Sequence, residues 1–188
     1  MRVVALQSNY LPWKGYFDLI HEADVFIYYD EVKYTKNDWR NRNQIYSANG
    51  LQWLSIPIPK NSVKQKISEV KILDPYWQKR HFKSLLCAYH SAPYFSQVEP
   101  LLKEFYLQGK WESLTELNRC LIERISRFLG IETRFLNSAD FCLPEGRVVR
   151  LLELLTQVGA REYITGPAAK TYLQGKESFF ADRGIKLT

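Results

Sequence analysis

The stretch RVVALQSNYLPWKGYFDLIHEADVFIYYD, residues 2–30, runs strand, turn, helix, strand. Residues 2–6 are short, apolar and β-branched, the composition of a buried strand. From Trp13 onward, the apolar residues Trp13, Phe17 and Ile20 fall at i, i+4 and i+7, with Leu19 and Ala23 flanking them, which is one face of a helix. Pro12 suits a first helical turn, where an N–H would have no partner. Residues 25–30 form a second strand that finishes on Asp30. Strand, helix and strand at this spacing make a βαβ unit and hence a parallel sheet, whose ligands sit beyond the carboxyl ends of the strands. The turn QSNYLPW lies at that edge and is too polar for a core, yet too aromatic for a solvated loop. Gln7, Asn9, Tyr10 and Trp13 therefore become candidate ligand-binding residues, with the helix stripe also drawing Trp13 toward the core.

After Asp30 the chain is dense in Asn, Lys and Arg and closes on Asn49-Gly50, a strong turn signal. Arg40 and Arg42 stand two apart, so an extended segment points both one way, as a guanidinium clamp for an anion or as a solvated basic strand. Trp39 beside them offers an aromatic face. LQWLSIPI (51–58) and ISEVKIL (67–73) alternate and together predict a β-hairpin or an excursion, Pro57 and Pro59 suiting an edge. Apolar periodicity then predicts helices over 75–89, 93–108 and 113–129, with Ser113 and Glu116 spaced as a capping box. The βα rhythm returns with TRFLNSA as strand, RVVRLLELLTQVG as helix, EYITG as strand and PAAKTYLQ as helix. EYITGPAAKTYL repeats the opening logic of strand, small turn and helix, and free amides at a helix start attract anions. Thr165, Gly166 and Lys170 are the anion-site candidates there, against a plain strand-to-helix turn.

The 188 residues are one domain's worth of chain, and 46% apolar with 24% charged residues is ordinary globular usage. Aromatic content is 14%, much of it beside Arg, Lys and Asn, as in a wet binding cleft. A net charge of +6 fits an anionic partner, but the basic residues are dispersed, which sets nucleic acid aside as the leading partner. The N-terminus lacks a signal peptide's apolar core and no run approaches a membrane span, so a cytoplasmic protein with no membrane insertion is expected. Cys87, Cys120 and Cys142 are odd in number and widely spaced, predicting reduced, mostly buried thiols. His81 and His90 fall on opposite sides of one helix and no paired-ligand spacing occurs, so no metal site and no cofactor are expected. No Walker loop, dinucleotide fingerprint or G-x-S-x-G motif is present.

Read together, QSNYLPWKGYFDLI, DVFIYYDEVKYTKNDWRNRNQI, QWLSIPI, YHSAPYF and YITGPAAKTYL resemble the WbqC-like family, in order and over nearly the whole chain. The turn departs from the family's more frequent Gln-Pro at Gln7-Ser8. The resemblance implies a bacterial protein of surface-polysaccharide (O-antigen) synthesis. The implied activity is a transferase that attaches a glycyl, aminoacyl or other acyl group to a nucleotide-linked or phosphorylated sugar, with a non-catalytic sugar-binding accessory protein as the alternative. On that expectation Asp30 is the candidate base, with capping a turn or pairing with Lys33 or Arg40 as its structural alternatives. Gln7, Asn9 and Tyr10 would meet sugar hydroxyls, Trp13 or Trp39 a ring face, and Arg40, Arg42 and Arg150 a phosphate. A homo-oligomer is left open. The expected fold is α/β and three-layered, with a parallel or mixed sheet, strand-turn-helix units facing one edge and a largely helical middle region at about 75–130, all in a single domain 1–188.

Overall fold

A computed structural model describes residues 1–166 and 173–188. The chain divides into two compact units, the first made of Met1–Gln7, Trp13–Glu31 and Ser126–Thr188, the second of Ser8–Pro12 and Val32–Ile125.

The first unit is α/β. Its sheet is parallel throughout, in the order β5 (Arg134–Asn137), β2 (Val25–Tyr28), β1 (Arg2–Leu6), β6 (Glu162–Tyr163) and β7 (Lys186–Leu187). All four residues of β2 are buried, because a parallel strand is covered on both faces. Val3, Ala5, Val25 and Ile27 point to one face, where they pack in one cluster with Leu151, Leu154 and Leu155 of α5 (Arg147–Gln157). Phe26 and Tyr28 point to the other, where Tyr16 of α1 (Lys14–Glu22) lies 5.5 Å from the Phe26 ring and Phe135 stacks 5.6 Å from Tyr28. Helices thus cover both sheet faces, making three layers. Because every strand runs the same way, Gln7, Asp30 and Thr165, which follow β1, β2 and β6, leave from one edge.

Three details of the opening stretch differ from expectation. The helix starts at Lys14, after an extended Trp13 that serves as N-cap, so Pro12 lies outside the first turn. Trp13 is 51% exposed, and the buried stripe is Tyr16, Phe17 and Ile20. Its indole instead lies along the backbone of Gly15, where an added Cβ would stand 3.1 Å from Nε1.

The second unit carries α2 (Trp77–Tyr89), α3 (Phe95–Lys103), most of α4 (Leu114–Phe128) and an antiparallel hairpin. Glu104–Gln108 continues α3 as one wide π turn. The Glu116 amide donates to Ser113 Oγ at 3.4 Å, one half of the predicted capping box. The hairpin is β3 (Arg42–Ser47) with β4 (Gly50–Ser55), not 51–58 with 67–73. Asn49-Gly50 closes it directly, Gly50 taking φ 92°, and Pro57 and Pro59 turn the chain into short 3-10 turns at Lys60–Lys64 and Ile67–Glu69 before another strand can pair. Cys87 and Cys142 are exposed and Cys120 half-buried, so the thiols are not core residues; Cys87 falls on the solvent side of α2, whose buried residues are Trp77, Gln78, His81 and Leu85. Among the described residues no helix is long and apolar enough to cross a membrane.

Candidate functional site

The turn that follows β1 is built into the second unit from Ser8 to Pro12. Leu11 has φ 46°, a left-handed conformation that is rare for a leucine, and it precedes a proline. Asn43 holds it there, donating from Nδ2 to the Leu11 carbonyl while its Oδ1 accepts from the Gln44 amide at 2.7 Å. The Tyr10 amide donates to the Trp39 carbonyl at 3.0 Å, which ties the turn to the WRNRN segment. Tyr10 itself is fully buried. Its hydroxyl meets His81 Nδ1 at 2.8 Å and the Tyr106 hydroxyl, so it is spent on the core. Burial pushes the Tyr10 and Tyr106 hydroxyls up and lowers His81 to about 4, leaving all three neutral near pH 7. The tautomer of the neutral His81 ring sets which of the pair, Tyr10 hydroxyl or Nδ1, donates.

Arg40 and Arg42 part company. Arg40 donates to Asn9 Oδ1 and pairs with Asp38 at 3.4 Å, while Asn118 Nδ2 donates to the Arg40 carbonyl at 2.8 Å. Burial acts against the Asp38 carboxylate, but Thr35, the charge of Arg40, the Trp39 amide and Arg42 together hold its pKa below the usual range. Asn9 and Arg40 are therefore bonded to each other, while the charges of Arg40 and Arg42 both reach Asp38 and Tyr34.

Arg42 lies on the outer face of the hairpin. In the hairpin register Arg42, Gln44 and Tyr46 oppose Ser55, Trp53 and Leu51, so all six share the outer face. The Arg42 guanidinium lies 4.4 Å from the Trp53 ring centroid, and Trp39 stacks on Trp53 at 5.8 Å and 28°. Both indoles are open to solvent, Trp39 40% and Trp53 44% exposed. Arg42 Nη2 donates to the Asn37 carbonyl at 2.7 Å, and Asn37 adopts φ 62°, a left-handed turn that Asn tolerates. From there Arg42 borders a cavity of about 270 Å³ that Lys36, Lys60, Ser62 and Tyr34 also line. The Tyr34 hydroxyl donates to Asn41 Oδ1 at 2.8 Å, and Asn41 Nδ2 donates to the Ile56 carbonyl at 2.8 Å, which fixes one wall.

The remaining candidates belong to the first unit. Gln7 is half-buried, and its carbonyl accepts from the Tyr16 hydroxyl at 3.0 Å. Asp30 is wholly buried and has interactions of its own within the protein. Arg150 of α5 places its guanidinium 5.9 Å from the Tyr29 ring, at the carboxyl end of β2. The Thr165 amide donates to the Thr188 carbonyl at 2.8 Å, and Thr165 borders a cavity of about 490 Å³ whose other described lining residues are Leu173, Gln174, Glu177, Leu187 and Thr188. None of those is a cation. Gly166 is half-buried, and Lys170 lies outside the described residues.

Sequence reasoning missed Trp53, Lys36, Lys60 and Ser62. Trp53 was legible as an outward residue of an alternating strand, but its partners depended on the hairpin register. Lys36 and Lys60 have no local spacing that connects them. Among the described residues no group of three or more His, Cys, Asp or Glu gathers as a metal site.

No solved structure matches this chain. A protein of Mycobacterium tuberculosis described as uncharacterized protein Rv1507c is 43% identical over 188 residues, covering 100% of this chain and 80% of that protein. The model of the WbqC-like protein family matches residues 7–188, which takes in every candidate above. The chain belongs to the WbqC-like protein family.

Proposed function

We propose that this protein is a transferase of bacterial surface-polysaccharide synthesis whose second unit holds a nucleotide-linked or phosphorylated sugar. One observation carries the reading: Trp39 and Trp53 present a stacked, solvent-open indole pair, and Arg42 lies over one of its rings while bordering a basic cavity. Indole faces take the apolar side of a sugar or the π-face of a base, and guanidinium takes the charge attached to it. Exposed aromatic area of this kind is costly to leave open and is recovered when a ring covers it. Aminoacyl or acyl transfer then requires an amine or hydroxyl of the bound sugar to lose its proton to a base as it attacks the carbonyl of an acyl or aminoacyl donor, whose bond to its leaving group breaks as that group departs with the electron pair.

A second reading, a sugar-binding accessory protein, is favoured by the state of two acids. Asp30 has no exposed surface, and Asp38 is already committed to Thr35 and Arg40. The two readings separate on titration and turnover. Trp53→Ala is expected to weaken the binding of uridine diphosphate-glucose by roughly tenfold or more, as loss of one stacking face does elsewhere, measured by isothermal titration. Mass spectrometry of the sugar after incubation with an acyl or aminoacyl donor decides the rest: a mass gain supports transfer, and an unchanged sugar that still binds supports the accessory role. Absence of binding by any sugar phosphate or nucleotide sugar refutes both.

A further inference from the structure

The cavity beside Arg42 has walls that different parts of the chain supply. Tyr34, Lys36, Asn37, Asn41 and Arg42 come from the segment leading into β3. Opposite them, the chain leaves β4 through Pro57 and Pro59 and coils into the 3-10 turn that carries Lys60 and Ser62. The Tyr34 amide donates to the Gln65 carbonyl at 2.9 Å, and Gln65 donates back to the Ser62 carbonyl at 2.9 Å, so the two walls are stitched together. Lys36, Arg42 and Lys60 line the space, and among the described residues no carboxylate does. Asp38, the acid whose charge Arg42 feels, is bonded to Thr35 Oγ1 at 2.7 Å and to the Trp39 amide at 2.7 Å. Three cationic residues thus line one space, with no carboxylate among the described residues that line it.

Ser62 is the independent sign of a ligand. It is 1% exposed, it borders the cavity, and its hydroxyl has no hydrogen-bond partner among the described residues. A buried hydroxyl without a partner is a cost that alanine would avoid, so its presence points to a group that arrives from outside. Ser55 completes the lining together with Ile58, Pro59 and Val63, and these last three lower the local dielectric, which strengthens attraction to an anion. At about 270 Å³ the space is smaller than the ~300–1,000 Å³ of pockets that enclose a whole drug-sized ligand, so it takes one part of a ligand.

We propose that this cavity seats the phosphoryl group or groups of the ligand, with Lys36, Arg42 and Lys60 as counter-charges and the Ser62 hydroxyl as donor. The assignment rests on the reading of Trp39 and Trp53 as the face for the rest of the ligand, with Arg42 touching both halves. It names the class: a sugar carrying a phosphate monoester or a diphosphate, not a neutral oligosaccharide.

The test is isothermal titration of the full chain with inorganic phosphate, glucose 1-phosphate, uridine diphosphate-glucose, and the neutral probes uridine and glucose. Lys36→Met and Lys60→Met are expected to weaken every phosphorylated probe by roughly ten- to a hundredfold and to leave the neutral probes unchanged. Ser62→Ala should weaken the phosphorylated probes severalfold while leaving the melting temperature level or higher, since it removes an unpaired buried hydroxyl. Glucose 1-phosphate and uridine diphosphate-glucose that bind with undiminished affinity to all three variants overturn the phosphoryl seat but leave the sugar reading standing. Phosphate binding that depends on Lys36 and Lys60, yet is indifferent to Trp53→Ala and to the attached sugar, supports the seat and sinks the sugar reading. No binding by any phosphorylated probe sinks both.

Discussion

His81 shows how one residue type takes its role from its surroundings. Its place on α2 turns it inward against Trp77, 5.1 Å away, and Tyr10, 5.6 Å away, while His90 caps the helix in solvent. Burial lowers its pKa to about 4, against about 6.5 in an unfolded chain. Between those values the unfolded state binds more protons, so stability falls as pH drops through that window and is complete above it. The expected loss between pH 6.5 and 4 is about 3 kcal/mol, because each pK unit is worth about 1.4 kcal/mol. Urea unfolding at a series of pH values checks it, and His81→Gln should flatten the curve in that range. Composition and helix spacing showed only that His81 and His90 face opposite ways; that the inward one would be neutral and bonded to Tyr10 depended on residues 71 positions away.

At the scale of elements, the helices were readable because apolar periodicity is local, and α2, α4 and α5 lie where 3.6-residue spacing puts them. The π turn after α3 was not readable. It follows Pro100 inside α3, and it is braced by Trp111, whose Nε1 donates to the Phe105 carbonyl at 3.0 Å. Gly109 is where this brace needs room, since an added Cβ would stand 2.6 Å from both the Phe105 carbonyl oxygen and Trp111 Nε1. Gly109→Ala is therefore expected to destabilise the protein by about 1–3 kcal/mol, the usual cost of forcing extra volume into a packed place, read as a lower denaturant midpoint at unchanged slope. The hairpin misassignment has the same origin as this blind spot. Alternation marks strands but not partners, and a tight Asn-Gly turn outranks a more distant strand with the same pattern.

At the scale of the whole molecule, the chain crosses between its two units at residues 7–8, 12–13, 31–32 and 125–126, so the second unit is not one continuous segment. Five residues from the opening stretch, Ser8–Pro12, belong to it, and among them Tyr10 is fully buried in its core cluster. A fragment of residues 32–125 lacks that ring. Loss of a large core aromatic costs about 3–5 kcal/mol, a large share of the ~5–15 kcal/mol that holds a domain folded. The fragment is expected to show no cooperative thermal transition by circular dichroism, whereas full-length Tyr10→Phe, which keeps the ring, should still melt cooperatively. A sharp transition in the fragment would show that the turn is dispensable to the core.

The sequence by itself determined the βαβ opening, a sheet that is parallel or mixed, the positions of α2, α4 and α5, the family and the presence of a turn too polar and too aromatic to be ordinary; the helix expected over PAAKTYLQ lies largely outside the described residues. These follow from periodicity and from motifs whose residues are neighbours in the chain. Only the tertiary structure decided that Tyr10 serves the core, that Arg40 is committed to Asn9 and Asp38, and that Arg42 joins Trp39, Trp53, Lys36, Lys60 and Ser62. Side-chain roles of this kind depend on strand register and on the path of the 3-10 turns. Those are settled by which buried surfaces fit together across distant segments, and no local spacing records them.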